Sequence, residues 1–434
     1  MHATVLERPA PSPPARRARP RVTTRLVFAV ATAVALLHAL DDAFLHRQPG
    51  LGLGQHALAA LIAAAASIAA IWAFPRMRPS LQAATAFTFA VLAAVNGAMH
   101  VQHIRVDDVA RSDLTGVLAF AAGLVLAGLA VFILWHRRRW WQRVLAVPVV
   151  LLCSFFVLGP MAMGMIEVHK WREPIGAKPG PDYRDVTFQS TDGLKLSGWY
   201  SPSRNGAAIL LVHGGNGDRQ GPVRHARMLA AKGYGVLLYD SRGRGHSEGS
   251  PNGYGWDWSH DVDGAMAFLK AQPDVEPGRI GALGLSTGAD VLVDVAPDHE
   301  DIQAIVADGT AAGSYEDWHR LRGDEAGMVP GWIMFKTMEV LSGDPQSPAL
   351  EDRVADIRQP TLMISAGTAE EYEFGVLYDR VGNPRVEHWN LPKASHTAAI
   401  RQVAVPYERR VSAFFDRALL RGREAPRPVS TGSA

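Results

Sequence analysis

Apolar residues are spread unevenly along this chain. In the first 166 positions they crowd into five runs, at 26–40, 56–74, 81–99, 114–135 and 144–166. Each approaches the roughly 20 residues a helix needs to cross a bilayer. The first is the weakest, because it contains His38 and meets Asp41-Asp42, although it can extend to Leu45. Beyond about position 185 the pattern changes. Short continuous apolar runs at 207–212, 235–239, 279–283, 303–307 and 361–365, with a strand-like stretch at 385–391, predict strands, most of them buried on both faces. Residues 222–232, closed by Gly233, predict a helix. Asp185 to Tyr200, with Asp192-Gly193 at its centre, predicts a hairpin. Strands alternating with helices imply an α/β class with a doubly wound, mostly parallel sheet. Its active loops belong at the strands' C-terminal ends, and an all-α transmembrane bundle precedes it.

Charge orients the apolar half. Arg16, Arg17, Arg19, Arg21 and Arg25 precede the first run, Arg76 and Arg78 follow the second, and Arg137, Arg138, Arg139 and Arg143 follow the fourth. The alternate loops carry Asp41, Asp42 and Arg47, then Arg105, Asp107, Asp108, Arg111 and Asp113. The positive-inside rule then puts the N-terminus in the cytoplasm, and an odd number of spans leaves everything after Ile166 outside it. Cleavage of the first run as a signal peptide would leave the same side outside, though no small-residue cleavage site stands out before Asp41. The arginines therefore act as topological signals and do not make a nucleic-acid patch, and the formal net charge of +2 says little about partners. The single cysteine, Cys153, excludes an intrachain disulfide.

These patterns divide the chain into a basic tail (1–24), a membrane domain of about five helices (25–166), a linker (167–184), an α/β domain (185–417) and a C-terminal tail (418–434). Lys178-Pro179-Gly180-Pro181 suits a spacer, and both tails have the composition of disordered segments.

Chemistry concentrates in the second half. Gly284-Leu285-Ser286-Thr287-Gly288 reads G-x-S-x-G directly after a predicted strand, where a serine can stand exposed on a strained strand-to-helix turn. His213-Gly214-Gly215 and Asp240-Ser241-Arg242-Gly243-Arg244-Gly245-His246-Ser247 end two earlier strands, and His396 lies late in a polar turn. With these motifs in this order, residues 185–417 resemble the α/β-hydrolase family. The resemblance implies a serine esterase-like enzyme with a small cap at about 310–356. It implies Ser286 as nucleophile and His396 as base, with His213 and His246 in structural roles. It also implies an acid placed three residues past a glycine, which the count from Gly367 gives as Glu370, where the family more often has Asp. Glu371 and Asp308 remain alternatives. Oxyanion donors are expected from the N–H groups of Gly215, or Asn216, and Thr287.

The expected activity is cleavage of an acyl ester, or less readily an amide, through an acyl-enzyme, on a small-molecule substrate beside the lipid bilayer. Neither cofactor nor metal is required. Acyl transfer by the same residues, or a non-catalytic binding module on the same fold, are the alternatives. Arg242 and Asp240 read as loop braces, though Arg242 could meet an anionic substrate. Tyr254, Trp256 and Trp258 could line an entrance, touch the bilayer or pack a loop. The cap's Tyr315, Trp318, Trp332 and Phe335 could form an apolar wall or simply its core. Last, His38, Asp41, Asp42, His46, His56, His100, His103, Asp107 and Asp108 gather at one end of the predicted bundle. They read most simply as polar caps and inter-helix hydrogen bonds, although imidazoles and carboxylates so gathered could hold a divalent metal.

Overall fold

A computed structural model describes residues 23–45, 53–106, 111–136, 152–170, 172–323, 328–367 and 369–420, with positions 141, 144, 145 and 148. The tails before 23 and after 420, His46, Asp107 and Asp108, and the side chains of His56 and His103, lie outside the described residues. The chain divides into two compact units, one comprising Met1–Ala43 with Leu58–Arg139, the other Phe44–Ala57 with Trp140–Ala434.

The helical unit is built from α1 (Thr24–Leu40), α2 (Leu53–Ala73), α3 (Pro79–Val106) and α4 (Arg111–His136). α1 continues into a π-helical turn, Asp41–Leu45. Small residues let α3 and α4 approach closely: a Cβ on Gly123 would lie 2.7 Å from the Ala94 nitrogen. Phe28 stacks on Phe74 at 4.0 Å in the same core. The outward positions, such as Leu61, Ile68, Leu114 and Leu124, are as apolar as the buried ones. Among the described residues three helices, Thr24–Leu45, Pro79–Ala98 and Asp113–Trp135, are long and apolar enough to cross a membrane. The other two predicted runs yield shorter apolar helices among the described residues, Ala60–Arg76 and Ser154–Val168.

The second unit is organised by a sheet of eight strands: β1 (Arg184–Gln189), β2 (Lys195–Ser201), β3 (Ala208–Val212), β4 (Gly235–Asp240), β5 (Ile280–Leu285), β6 (Ile305–Asp308), β7 (Thr361–Ala366) and β8 (Val386–Leu391). Their order is β1-β2-β4-β3-β5-β6-β7-β8. β2 is antiparallel to both its neighbours, and the rest run parallel. The central strands are buried along their whole length, as continuous apolar runs require. Helices Trp258–Lys270 and Thr287–Val295 cover one face, while Val223–Ala231 and Ala404–Phe415 cover the other. The predicted hairpin forms in register, turning at Gly193 with φ 90°.

Three segments at the edges of the expected domains pack into the second unit. The segment 152–168 groups with the second unit, because helix Gly159–Val168 packs on helix Met328–Ser342: a Cβ on Gly164 would lie 2.6 Å from the Met334 carbonyl oxygen. The expected spacer 167–184 is bonded along the same unit. Buried Arg172 donates to the carbonyls of Gly245, Ser247 and Gly249, and Gly176 N–H donates to Gln220 Oε1. At the other end Leu419, expected in the tail, is buried against the same core.

Candidate active site

The C-terminal ends of β3, β5, β6, β7 and β8 converge on one edge of the sheet, and every candidate residue sits there. Ser286 joins β5 to helix Thr287–Val295 with φ 54° and ψ −125°. A side chain held at positive φ is strained, so the surroundings must enforce it. They do so by close approach. A Cβ on Gly284 would strike the Gly288 carbonyl, and one on Gly288 would strike the Val212 carbonyl, so neither position tolerates a side chain. Ser286 N–H donates to the Asp308 carbonyl at 2.8 Å, which ties the turn to the neighbouring strand. Ser286 Oγ takes part in none of the described hydrogen bonds.

His396 follows β8 in a turn whose next residue, Thr397, also has positive φ (50°). Its ring lies over Gly309, where a Cβ would come within 2.9 Å of His396 Cε1. Because Leu285 pairs with Asp308 in the parallel register, Gly309 is the strand-end neighbour of Ser286. The imidazole therefore lies over the strand end adjacent to the elbow. On its other side His396 Nδ1 meets Glu371 Oε2 at 2.8 Å, and Ala366 N–H donates to Glu371 Oε1 at 2.6 Å. The hydrogen bond that Nδ1–H donates to Glu371 raises the imidazole's pKa above its ordinary 6.5, against the opposing effect of burial.

The carboxylate on the imidazole is thus Glu371, and Glu370 does not occupy that place. Glu370 is exposed, while Glu371 is 3% exposed. Adjacent residues on a helix point about 100° apart, so only one of the pair can face the strand ends. Helix Ala369–Asp379 buries Phe374 and Tyr378, and Glu371 shares their face by i, i+3, i+7 spacing. The sequence carries this signal in the spacing of Glu371, Phe374 and Tyr378, whereas the count from Gly367 points to the neighbouring, outward-facing residue. Asp308, the other alternative, accepts instead from Tyr407 Oη at 2.7 Å, with His225 Nε2 3.1 Å behind it. Burial pushes Asp308 up to about 7.

Gly214 and Gly215 lie against the elbow. A Cβ on Gly214 would sit 3.3 Å from Ser286 Cβ, and one on Gly215 would sit 2.6 Å from Thr287 Oγ1. Thr287 opens its helix, where the first N–H groups lack intrahelical acceptors and the dipole favours negative charge. His213 braces the turn, its Nε2 accepting from Ser241 N–H at 3.0 Å, and burial lowers its pKa to about 4. His246 is exposed. Arg242 spends its donors on Asp261 and Asp192, and Asp240 accepts from Arg219 and His246 N–H, so both are braces. Trp256 and Trp258 are buried, the former donating to the Gly313 carbonyl. Trp256 joins Val168, Phe335 and Met338 in the core between cap and helix Gly159–Val168. The aromatic residues therefore pack, except Trp332, which is exposed.

With this geometry in view, residues 171–390, about half the chain, match the family model described as X-Pro dipeptidyl-peptidase (S15 family). The chain belongs to this family of α/β-hydrolases. It is 31% identical over 192 residues to the uncharacterized protein Rv2307c of Mycobacterium tuberculosis (43% of this chain, 62% of that one). It is 33% identical over 136 residues to the thiohydrolase aneE of Aspergillus aculeatus (29% and 41%). The chain thus spans less than two thirds of the length of these relatives. Among solved structures it is similar to the Pyrococcus furiosus esterase Pf2001, at 25% identity and a TM-score of 0.47, over 58% of this chain and 100% of that one. The fold class expected from the sequence is the one observed.

Proposed function

We propose that this hydrolase is a membrane-anchored, extracytoplasmic serine enzyme that cleaves acyl esters, and amides less readily, through an acyl-enzyme. The observation that carries the reading is the strained Ser286 turn beside an imidazole already oriented by a buried carboxylate. Ser286 Oγ attacks the acyl carbonyl carbon while its proton passes to His396 Nε2. The oxyanion is received by the N–H groups of Gly215 and Thr287, each contributing about 3 kcal/mol to the transition state. Collapse breaks the bond to the leaving group, which departs with the proton from His396. Water then gives its proton to the same nitrogen, attacks the acyl carbon and releases the acid with free Ser286. Glu371 holds the imidazole with Nδ1 protonated and Nε2 toward the serine.

A fluorophosphonate probe tests this directly. Wild-type protein is expected to be labelled stoichiometrically, and Ser286→Ala to be unlabelled with ester turnover lowered on the order of 10⁴–10⁶-fold. A folded wild type that resists the probe and hydrolyses no ester would refute the proposal and favour a binding module.

A further inference from the structure

The helical unit holds a second constellation that the hydrolase chemistry does not use. His38 ends α1, Asp42 lies in the π-helical turn that follows, and His100 projects from α3. One ligand atom from each lies within 4.8 Å of the others. His38 Nε2 is 3.5 Å from Asp42 Oδ2, and His100 Nε2 is 3.6 Å from the same oxygen. The two rings meet edge-on at 4.7 Å. We propose that His38, Asp42 and His100 form a divalent-metal site of the zinc class, with a fourth position open to water or another small ligand.

The hydrogen bonds behind the rings specify which nitrogens face inward. His100 Nδ1 meets Asp113 Oδ1 at 3.0 Å, and a carboxylate only accepts, so Nδ1 carries a proton. Thr115 gives its single hydroxyl proton to Asp41 Oδ2 at 2.7 Å. His38 Nδ1, 3.2 Å from Thr115 Oγ1, must then donate to that hydroxyl. In a neutral His38 the lone pair on Nε2 is therefore left on the side facing Asp42. His38 Nε2 makes no hydrogen bond, in a residue only 1% exposed. A lone pair and a carboxylate oxygen converging without a proton between them repel one another, and a cation between them removes the conflict. Ring nitrogens held by a carboxylate or hydroxyl on the far side are the usual outer shell of metal-bound histidine.

Two of the three separations fit. Zinc bonds of 2.0–2.2 Å to nitrogen and oxygen imply tetrahedral ligand separations of about 3.4 Å, against the 3.5 and 3.6 Å from Asp42 Oδ2 to the two rings. The three ligand atoms lie within 4.8 Å of one another, so the rings draw together when the ion binds. The site is also made room for. A Cβ on Gly116 of α4 would collide with the His100 ring, so glycine there admits the imidazole. Asp42 is 32% exposed, which leaves a route for the ion. A π-turn within an α-helix is a frequent accompaniment of such sites, because the extra residue redirects a side chain.

The test uses the full chain, purified in detergent without a polyhistidine tag, stripped with chelator and titrated with Zn(II) and Co(II). The expected result is about one ion per chain by elemental analysis, with the visible d–d bands of four-coordinate Co(II). His38→Gln, Asp42→Asn and His100→Gln should each weaken binding at least about 100-fold, and His260→Gln, in the other unit, should leave it unchanged. Thr115→Val, which touches no ion, should keep the stoichiometry and weaken affinity roughly 10–100-fold; it serves if a ligand variant misfolds. Wild type of native helicity that takes up no ion would overturn the assignment in favour of protonated imidazoles paired with Asp42. Equal uptake by the triple ligand variant would overturn it as adventitious binding.

Discussion

At the scale of single residues, the difference between Glu370 and Glu371 is a difference in which face of a helix turn meets the strand ends. Glu371→Gln removes the acceptor that orients His396 Nδ1 and is expected to lower kcat about 10⁴-fold, while Glu370→Gln stays within about twofold. The pH profile separates orientation from simple unfolding. A general base must be neutral, so kcat/KM should rise with pH and level off above a midpoint higher than 6.5, since Glu371 raises the imidazole's pKa. In residual Glu371→Gln activity that midpoint should move down. A profile unchanged by the substitution would remove Glu371 from the mechanism.

At the scale of elements, the helix that starts at the nucleophile carries a cost. Asp290, in its first turn, accepts from Ala311 N–H at 2.8 Å, and burial pushes its pKa up to about 8. A carboxyl whose folded pKa exceeds its unfolded value of 3.8 binds more protons folded than unfolded. Stability therefore falls as pH rises from about 4 to about 8, and levels off above. His396, also raised, contributes with the same sign. Unfolding midpoints of the full chain should drop between pH 5 and pH 8, and Asp290→Asn should reduce that drop by at least about 1 kcal/mol. A second element-scale expectation concerns helix Gly159–Val168. It covers Phe335 and Met338 of the cap, which are 1% and 0% exposed. A fragment beginning at 171 uncovers them, and beside exposed Trp332 and Val340 they would form an apolar patch. Such a fragment should aggregate without detergent, whereas one beginning at 152 should remain monodisperse in it.

For the molecule as a whole, the proposed function makes a prediction about the side of a membrane on which Ser286 would work. The arginines flanking alternate runs argue for a cytoplasmic N-terminus and an external hydrolase. Alkaline phosphatase fused after residue 420 should then be active, and a fluorescent protein requiring the cytoplasm should be dark at that position. The reverse result would retain the hydrolase and refute its placement. The helical and hydrolase units have separate cores, so the phosphonate and metal tests should fail or succeed independently.

Much was legible without coordinates because parallel strands buried on both faces leave an unmistakable record. The runs at 207–212, 235–239 and 361–365 each became a strand within a residue or two of expectation. The elbow was equally plain, since glycine at 284 and 288 answers a local collision that any chain making this turn must avoid. What linear pattern could not supply was the meeting of parts distant along the chain. Glu371 is set on His396 across 25 residues, Arg172 is set into a turn more than 70 residues away, and His38 and His100 are brought ring to ring by helix packing. Periodicity reports which way a side chain points from its own element, and a partner on another element is chosen by how the elements pack.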